Sequence, residues 1–285
     1  MKVSLGWAWI ISISFRFTTW NSRHCQRLLS MRRSQVRQRG KTLSLTIITA
    51  LQKVKEEGKV KFIGITGYPL SNFKTILELV DQRNNEIEAQ EGDEESKRKK
   101  MIVIDTVLSY CHYSLNDTSL ADWIPYFQQK GLGIINAAPI SMGLLCLAGP
   151  PAWHPASAKV KQVCKEANLY CQSQGKQIVI CYCTNFNPLY ILVGVDLARL
   201  AMHFSLQNTD IATVLVSTPS KEAMLDNVKS ASYVLTEKEA ATLDYVRQTY
   251  FNPLNNENWE GAEVAKYRRK LAEVLKQREE EGGNK

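Results

Sequence analysis

Hydroxyl side chains stand just ahead of a helix-forming segment near the carboxyl end of the chain. Ser217, Thr218 and Ser220 precede a stretch that contains Asp226 and Asn227. Hydroxyl groups and the free backbone N–H groups at the start of a helix attract an anion together. The segment therefore predicts a phosphate-binding site. Neither a GxGxxG nor a Walker motif occurs in the sequence, which excludes a Rossmann fingerprint and a P-loop.

A second group of reactive side chains combines a histidine with three tyrosines at the expected ends of two strands. Its members are Tyr68, Tyr110, His112 and Tyr113. A histidine close to a tyrosine is a conceivable proton relay. A loop histidine is more often a solvated or packing residue, and we favour that interpretation for His112. His154 and His203 are expected to be structural, with contact to a substrate lid as the alternative for His154.

The cysteines give no indication of a metal centre. The chain has seven, an odd number, with no CxxC pair and no histidine at zinc-finger spacing. We therefore expect no disulfide framework, no metal site and a reducing, cytoplasmic location. Cys181 and Cys183 could in principle bind a soft metal, but we favour their interpretation as small apolar side chains in a hydrophobic run.

Positive charge is concentrated at the amino terminus. The formal net charge is +8, but residues 1–45 carry nine basic residues and no acidic one. The remainder is close to neutral, so we expect no nucleic-acid partner. The apolar stretch within residues 1–45 is too short to span a membrane and weak as a signal peptide. We expect this segment to be basic and poorly structured, and we expect no membrane partner.

From Thr46 onward, helical periodicity alternates with short apolar runs. This alternation predicts an α/β fold whose parallel sheet is covered on both faces. In such sheets the chemistry collects at the carboxyl ends of the strands. The charged stretch 83–100 is expected to be a disordered surface insertion. The predicted helices are 46–58, 71–80, 120–130, 156–171 and 197–205, and the predicted strands are 60–66, 101–111, 132–138 and 211–216.

Several segments resemble the aldo-keto reductases, in the order in which that family has them. Within the family they are most similar to the L-galactose dehydrogenase branch. The resemblance implies a (β/α)₈ barrel, of which this chain looks like the carboxyl-terminal half, about the last four βα units. It also implies NAD or NADP as cofactor and a small-molecule sugar as substrate. The segments are ALQKVKEEGK at 50–59, FIGITG at 62–67, VLSYCHY at 107–113, GPPAWHP at 149–155 and LARLA at 197–201.

The resemblance also implies roles for individual residues. Thr66, Gly67 and Ser109 match positions that contact the nicotinamide carboxamide. The adenosine-side phosphate would be held by Ser217, Thr218 and Ser220, and the adenine by Asp226 and Asn227. Ala223 replaces the arginine that grips a 2′-phosphate in NADP-preferring members, which favours NAD.

The catalytic residues of the resembled family have no counterpart here. Its Asp, Tyr, Lys and His all precede the point, near residue 46, at which the resemblance begins. We therefore expect no catalytic residue and no sugar oxidation by this chain as it stands. The alternative function is that of a nucleotide-binding or regulatory remnant without catalysis.

An apolar segment at about 179–195 has no counterpart in the family. We interpret this segment, like residues 1–45, as translated non-coding sequence. The alternative is a genuine insert that packs on an exposed strand edge. Half a barrel would leave sheet edges open, so self-association through those edges is expected. A final helix is predicted at about 262–280.

Overall fold

The computed structural model describes residues 10–14, 33–174, 177–182, 188–217 and 221–262. The predicted final helix lies almost wholly outside the described residues, as do Thr218, Ser220 and Cys183. The chain divides into two compact units. One comprises Met1–Tyr110, Asp122–Ile135 and Asp210–Ala212, and the other comprises Cys111–Ala121, Asn136–Thr209 and Thr213–Lys285.

The first unit alternates strands and helices. Its strands are β1 (Ile10–Ser14), β2 (Phe62–Gly67), β3 (Thr106–Tyr110) and the first residues of β4 (Gly133–Ala137). Its helices are α1 (Arg33–Glu56), α2 (Ser71–Glu88), α3 (Glu94–Lys100) and α4 (Ile124–Gln129).

The strands of the first unit follow the order β1-β2-β3-β4. β1 and β3 both pair in parallel with β2. The core is formed by Ile63 and Ile65 of β2 and by two aromatic rings, Phe73 and Phe127, which meet edge to face at 5.7 Å. The predicted α/β fold with a parallel sheet is confirmed.

A partly buried ion pair joins the end of α1 to the residue that precedes β3. Lys55 Nζ lies 2.6 Å from Asp105 Oδ2, and the Ile63 N–H donates to the same oxygen at 2.7 Å. The Asp105 N–H donates to the Ile63 carbonyl, and the Gly133 N–H donates to the Asp105 carbonyl. Asp105 thereby fixes the amino-terminal ends of three neighbouring segments.

Two stretches that were expected to be disordered contain regular structure. Within residues 1–45, Ile10–Ser14 forms β1, and α1 begins at Arg33. Residues 83–100 extend α2 to Glu88 and form α3. The prediction of a disordered insertion at 83–100 is therefore wrong.

Side-chain hydrogen bonds explain why residues 83–100 are ordered. Asp93 caps α3 by accepting from the Ser96 N–H at 2.8 Å. The Asn84 side chain bonds both the N–H and the carbonyl of Ile102, each at 2.9 Å. Ile87, only 3% exposed, anchors the end of α2. The many charged residues in this stretch led to the prediction of disorder, because charge does not indicate such contacts.

The second unit contains the end of β4 and the remaining helices. Its helices are α5 (Ala158–Ser173), α6 (Leu197–Leu206), α7 (Lys221–Ala231) and α8 (Glu237–Val246). Its strands are β5 (Gln177–Tyr182), β6 (Pro188–Val193) and β7 (Thr213–Leu215). The Ala138 N–H donates to the Leu215 carbonyl at 3.0 Å, which places β7 beside the end of β4.

The apolar segment at 179–195 contributes to a β-hairpin. β5 and β6 pair antiparallel with each other and form a separate two-stranded sheet. The alternative of a genuine insert that packs on an exposed strand edge stays a prediction, since strand pairing alone does not test it. The residues that flank the hairpin are hydrogen-bonded to each other, because the Val195 N–H donates to the Cys171 carbonyl at 3.0 Å.

Cys146, Cys164 and Cys171 of the second unit are free thiols. Cys111, Cys164 and Cys171 are buried, and burial raises the pKa of both Cys164 and Cys171 to about 12. Such thiols stay protonated and unreactive at neutral pH. Within the described ranges, no group of His, Cys, Asp and Glu could hold a metal ion. None of the described helices is both long and apolar enough to cross a bilayer.

Candidate functional site

The carboxyl ends of β2 and β3 bring together the three residues expected at the nicotinamide. Gly67 lies opposite Ser109 in the parallel register, and Thr66 lies opposite Leu108. The Thr66 hydroxyl donates to the Leu108 carbonyl at 3.2 Å. Thr66 and Gly67 are half-buried, whereas Ser109 is fully buried. The strand register therefore gathers residues that are distant in sequence into one polar patch at the carboxyl ends of β2 and β3, with the Ser109 side chain on the face of Gly67 and the Thr66 side chain on the other face.

The Ser109 hydroxyl is the least satisfied group of this patch. Among the described residues, its buried Oγ has no hydrogen-bond partner. Leaving a buried polar group unpaired costs about 1–3 kcal/mol. A carboxamide offers both a donor and an acceptor, so such a group bound beside β2 and β3 could satisfy this hydroxyl. The residues present thus fit the carboxamide end of a nicotinamide.

Two tyrosines flank the patch. The rings of Tyr68 and Tyr110 meet edge to face, with centroids 6.5 Å apart. Both are half-buried. The Lys55–Asp105 pair lies at the opposite end of β2, beside Ile63, so its charges do not reach these phenols.

The second unit carries the residues expected at the adenosine side. Ser217 is exposed and follows β7, whereas Asp226 and Asn227 lie on α7. The Asp226 carboxylate is exposed and lies 3.4 Å from Lys229 Nζ. With Thr218 and Ser220 outside the described residues, the phosphate site stays a prediction.

His112 is buried and ion-paired. Its Nδ1 lies 2.9 Å from Asp117 Oδ2, and its Nε2 lies 3.2 Å from Glu260 Oε1. Burial alone would lower the pKa of His112, but the hydrogen bonds and charges of both carboxylates outweigh it and raise the pKa above its ordinary value. The Ser119 hydroxyl, 3.2 Å from Nδ1, adds a further polar neighbour.

This arrangement supports the interpretation of His112 as a packing residue. Its two ring nitrogens face carboxylates, while the Tyr113 ring stacks on Phe204 at 5.3 Å. A proton relay between His112 and Tyr113 is therefore not favoured. Sequence reasoning missed Asp117 and Glu260, because no spacing rule links a loop residue to a carboxylate near the other end of the chain.

Burial favours the neutral form of His154, although its hydrogen bond to the Ser141 carbonyl acts in the opposite direction. Its Nδ1 lies 3.1 Å from the Ala156 N–H, so Nε2 carries the proton and donates to the Ser141 carbonyl at 3.1 Å. Burial lowers the pKa of His154, and the charge of Lys161 acts in the same direction. The ring also packs edge to face on Trp259 at 4.8 Å. These contacts agree with a structural role, and the contact to a substrate lid stays untested.

Known proteins share the sequence pattern of this chain. The model of the aldo/keto reductase family matches residues 35–248. L-galactose dehydrogenase of Arabidopsis thaliana is 36% identical over 74% of this chain and 54% of its own length. D-arabinose 1-dehydrogenase of Saccharomyces cerevisiae is 25% identical over 75% of this chain and 57% of its own length. The chain thus spans about half the length of the curated relatives it matches.

Solved structures of the same family cover a similar share of the chain. The holo form of aldo-keto reductase AKR11C1 from Bacillus halodurans is 19% identical and matches with a TM-score of 0.42. That match covers 70% of this chain and 52% of the solved chain. Because the family model matches most of the sequence, we conclude that this chain belongs to the aldo/keto reductase family.

Proposed function

We propose that this chain supplies the cofactor-binding part of an NAD(P)-dependent oxidoreductase that acts on sugars. The observation that carries the proposal is the register of Gly67 opposite Ser109, which leaves a buried hydroxyl without a described partner. The matched relatives, which are named as dehydrogenases of L-galactose and D-arabinose, support a sugar as substrate. When bound, the nicotinamide accepts or gives the hydride that interconverts a sugar hydroxyl and a carbonyl.

Each proposed contact has its own chemical reason. Thr66, Gly67 and Ser109 hold the carboxamide through hydroxyl and backbone groups. Ser217, Thr218 and Ser220 hold a phosphate ahead of α7, where N–H groups are free. Asp226 and Asn227 contact the adenine. Ala223 offers no cation to a 2′-phosphate, so NAD is the favoured cofactor.

We further propose that the chain alone binds the cofactor without oxidising sugars. Positioned acid and base groups contribute about 10²–10⁴-fold each to catalysis. Neither Lys55 nor His112 is available for this role, since Lys55 pairs with Asp105 and His112 lies between two carboxylates. For the isolated chain, the function is then that of a nucleotide-binding or regulatory protein. The buried free thiols of Cys164 and Cys171 support a reducing, cytoplasmic location.

Calorimetric titration with NAD and with ADP-ribose tests the carboxamide contacts. If Ser109 bonds the carboxamide, Ser109→Ala should weaken NAD binding about 3- to 10-fold and leave ADP-ribose binding unchanged. The matched control is Ser205→Ala, because the buried Ser205 hydroxyl donates to the Tyr113 carbonyl. It should leave both affinities unchanged.

Two results would contradict the proposal. Absence of NAD binding would mean that the nicotinamide does not bind at β2 and β3. An equal loss of affinity for NAD and ADP-ribose in Ser109→Ala would mean the same. NADH formation from L-galactose by the purified chain at the rate of full-length relatives would refute its inactivity.

A further inference from the structure

We propose that the second unit carries a separate binding site for small hydroxylated carboxylates, built from the Arg247 guanidinium and an asparagine-rich turn. A cavity of about 180 Å³ lies between the loop that follows β3 and the segment that follows α8. Its polar lining consists of Thr118, Arg247, Asn252, Asn255 and Asn256. Leu115 and Phe251 form an apolar part of the wall.

Arg247 supplies a positive charge that the described residues do not neutralise. Its guanidinium lies over the Phe204 ring, 4.8 Å from the centroid, and the residue is half-buried. Within the described ranges, no carboxylate forms an ion pair with it. The two described acids that follow it in sequence are engaged, since Glu257 pairs with Lys159 and Glu260 contacts His112. A half-buried guanidinium without a counter-ion favours an anionic ligand.

The backbone that lines the cavity contains two unusual conformations, a π-helical turn and a left-handed turn. Arg247–Phe251 forms one π-helical turn directly after α8, and such turns occur frequently at functional sites. Asn255 and Asn256 both adopt the left-handed conformation, with φ of 54° and 57°. These conformations turn the chain back beside Arg247, so that the asparagines line the same cavity.

The asparagine side chains provide neutral donors and acceptors. The Asn256 carbonyl oxygen accepts from both the N–H and the hydroxyl of Thr118, at 2.9 and 3.2 Å. That leaves the Asn256 amide hydrogens as donors, and no described residue accepts from them. Within the same described ranges, the side chains of Asn252 and Asn255 make no hydrogen bond either. Amides of this kind suit ligand hydroxyl groups, which both donate and accept.

The size and chemistry of the cavity define the ligand class. A dry cavity of about 150 Å³ holds a molecule the size of benzene, so this one accommodates a ligand of about six to eight non-hydrogen atoms. One guanidinium fits one carboxylate in a bidentate pair, and the amides fit adjacent hydroxyl groups. Short hydroxy acids such as glycerate have this composition. The site is distinct from the proposed cofactor residues, and its test does not depend on them.

Titration of the full chain with D-glycerate, followed by ¹H–¹⁵N NMR of the asparagine side-chain amides, tests the site. Glycerate should shift amide signals of Asn252, Asn255 and Asn256, whereas neutral glycerol should not. Arg247→Gln should weaken glycerate binding about 10-fold or more, because hydrogen bonds to charged groups are the strong ones. Asn255→Gly keeps the left-handed backbone, removes one amide, and should weaken binding about 3-fold.

The matched control is Arg83→Gln, because Arg83 pairs with Glu86 in the first unit and does not line the cavity. It should leave the glycerate affinity unchanged at physiological ionic strength. Equal binding of glycerol and glycerate would overturn the proposal. So would displacement of glycerate by an equal concentration of inorganic phosphate, or an unchanged affinity in a folded Asn255→Gly variant.

Discussion

His112 Nε2 and Glu260 Oε1 lie 3.2 Å apart, so a histidine in the loop after β3 contacts the segment that follows α8. Asp117 holds the other ring nitrogen at 2.9 Å. The raised pKa of His112 makes this contact a source of pH-dependent stability.

The direction of that dependence follows from protonation. A histidine whose pKa is raised on folding stabilises the native state fully below its unfolded value of about 6.5. The contribution is lost as the pH rises through the higher folded-state value. We expect the free energy of unfolding to fall as the pH is raised above about 6.5, as measured by urea denaturation. Glu260→Gln should lower stability by about 1–2 kcal/mol at pH 6 and reduce the fall at higher pH.

Glu257→Gln is the matched control for Glu260→Gln. The two glutamates are similarly exposed, at 32% and 33%, but Glu257 bonds Lys159 and Ser157. Its lowered pKa affects stability only in acid, so the profile above pH 6 should be unchanged. A pH profile of Glu260→Gln identical to that of the unaltered protein would refute the role of His112.

The Lys55–Asp105 pair should stabilise the first unit measurably. It is about one-fifth exposed, and Asp105 also accepts the Ile63 N–H. Lys55→Met should lower the free energy of unfolding by about 1–2 kcal/mol, since it leaves a half-buried carboxylate without its cation. Lys59→Met is the control, because the Lys59–Glu57 pair is 69% and 54% exposed and should contribute nothing measurable. Equal effects of the two changes on the urea midpoint would contradict this assignment.

Helices and strands with local sequence signals could be predicted from the sequence. Gly58 ends α1 with a φ of +71°, and its N–H donates to the Lys55 carbonyl, as expected for a helix terminator. Apolar runs located β2 and β4 to within a few residues. The order in residues 83–100 depends on Asn84 bonding Ile102, and hydropathy or charge does not encode such a contact.

The candidate sites show the same difference between local sequence signals and contacts between distant residues. Ser109 could be assigned from a family motif, but its position opposite Gly67 required the strand register. The asparagine-rich turn at Asn255 and Asn256 is visible in the sequence, whereas its contact with Thr118 is not. Sequence reasoning therefore identified chemical groups more readily than the partners that give them a function.

An apolar face on α7 should promote self-association. Met224, Leu225 and Val228 are 43%, 49% and 61% exposed, and their spacing places them on one side of the helix. We expect sedimentation to show concentration-dependent association, and we expect Val228→Gln to reduce it. Lys221→Gln, at the start of the same helix, should not reduce it. Monomers at all concentrations would contradict this prediction.

The β5–β6 hairpin should be removable without loss of the fold of the second unit. The Val195 N–H donates to the Cys171 carbonyl at 3.0 Å, and the Gln172 side-chain amide donates to the Val195 carbonyl at 3.3 Å. The residues that flank the hairpin are therefore already in contact with each other. Deleting 177–193 shortens a closed loop about four-fold, which lowers its closure entropy cost by about 1 kcal/mol. We expect cooperative unfolding and a soluble yield at least equal to that of the whole chain.

Gly194→Val is the comparison for this deletion. A Cβ at Gly194 would collide with the backbone of Gln172, so the junction itself tolerates no side chain. This substitution should lower the unfolding midpoint, whereas the deletion keeps Gly194 and the junction intact. Static light scattering at equal concentrations would show the outcome. A deletion variant that aggregates more than the whole chain would mean that the hairpin protects a surface, and would contradict its interpretation as foreign sequence.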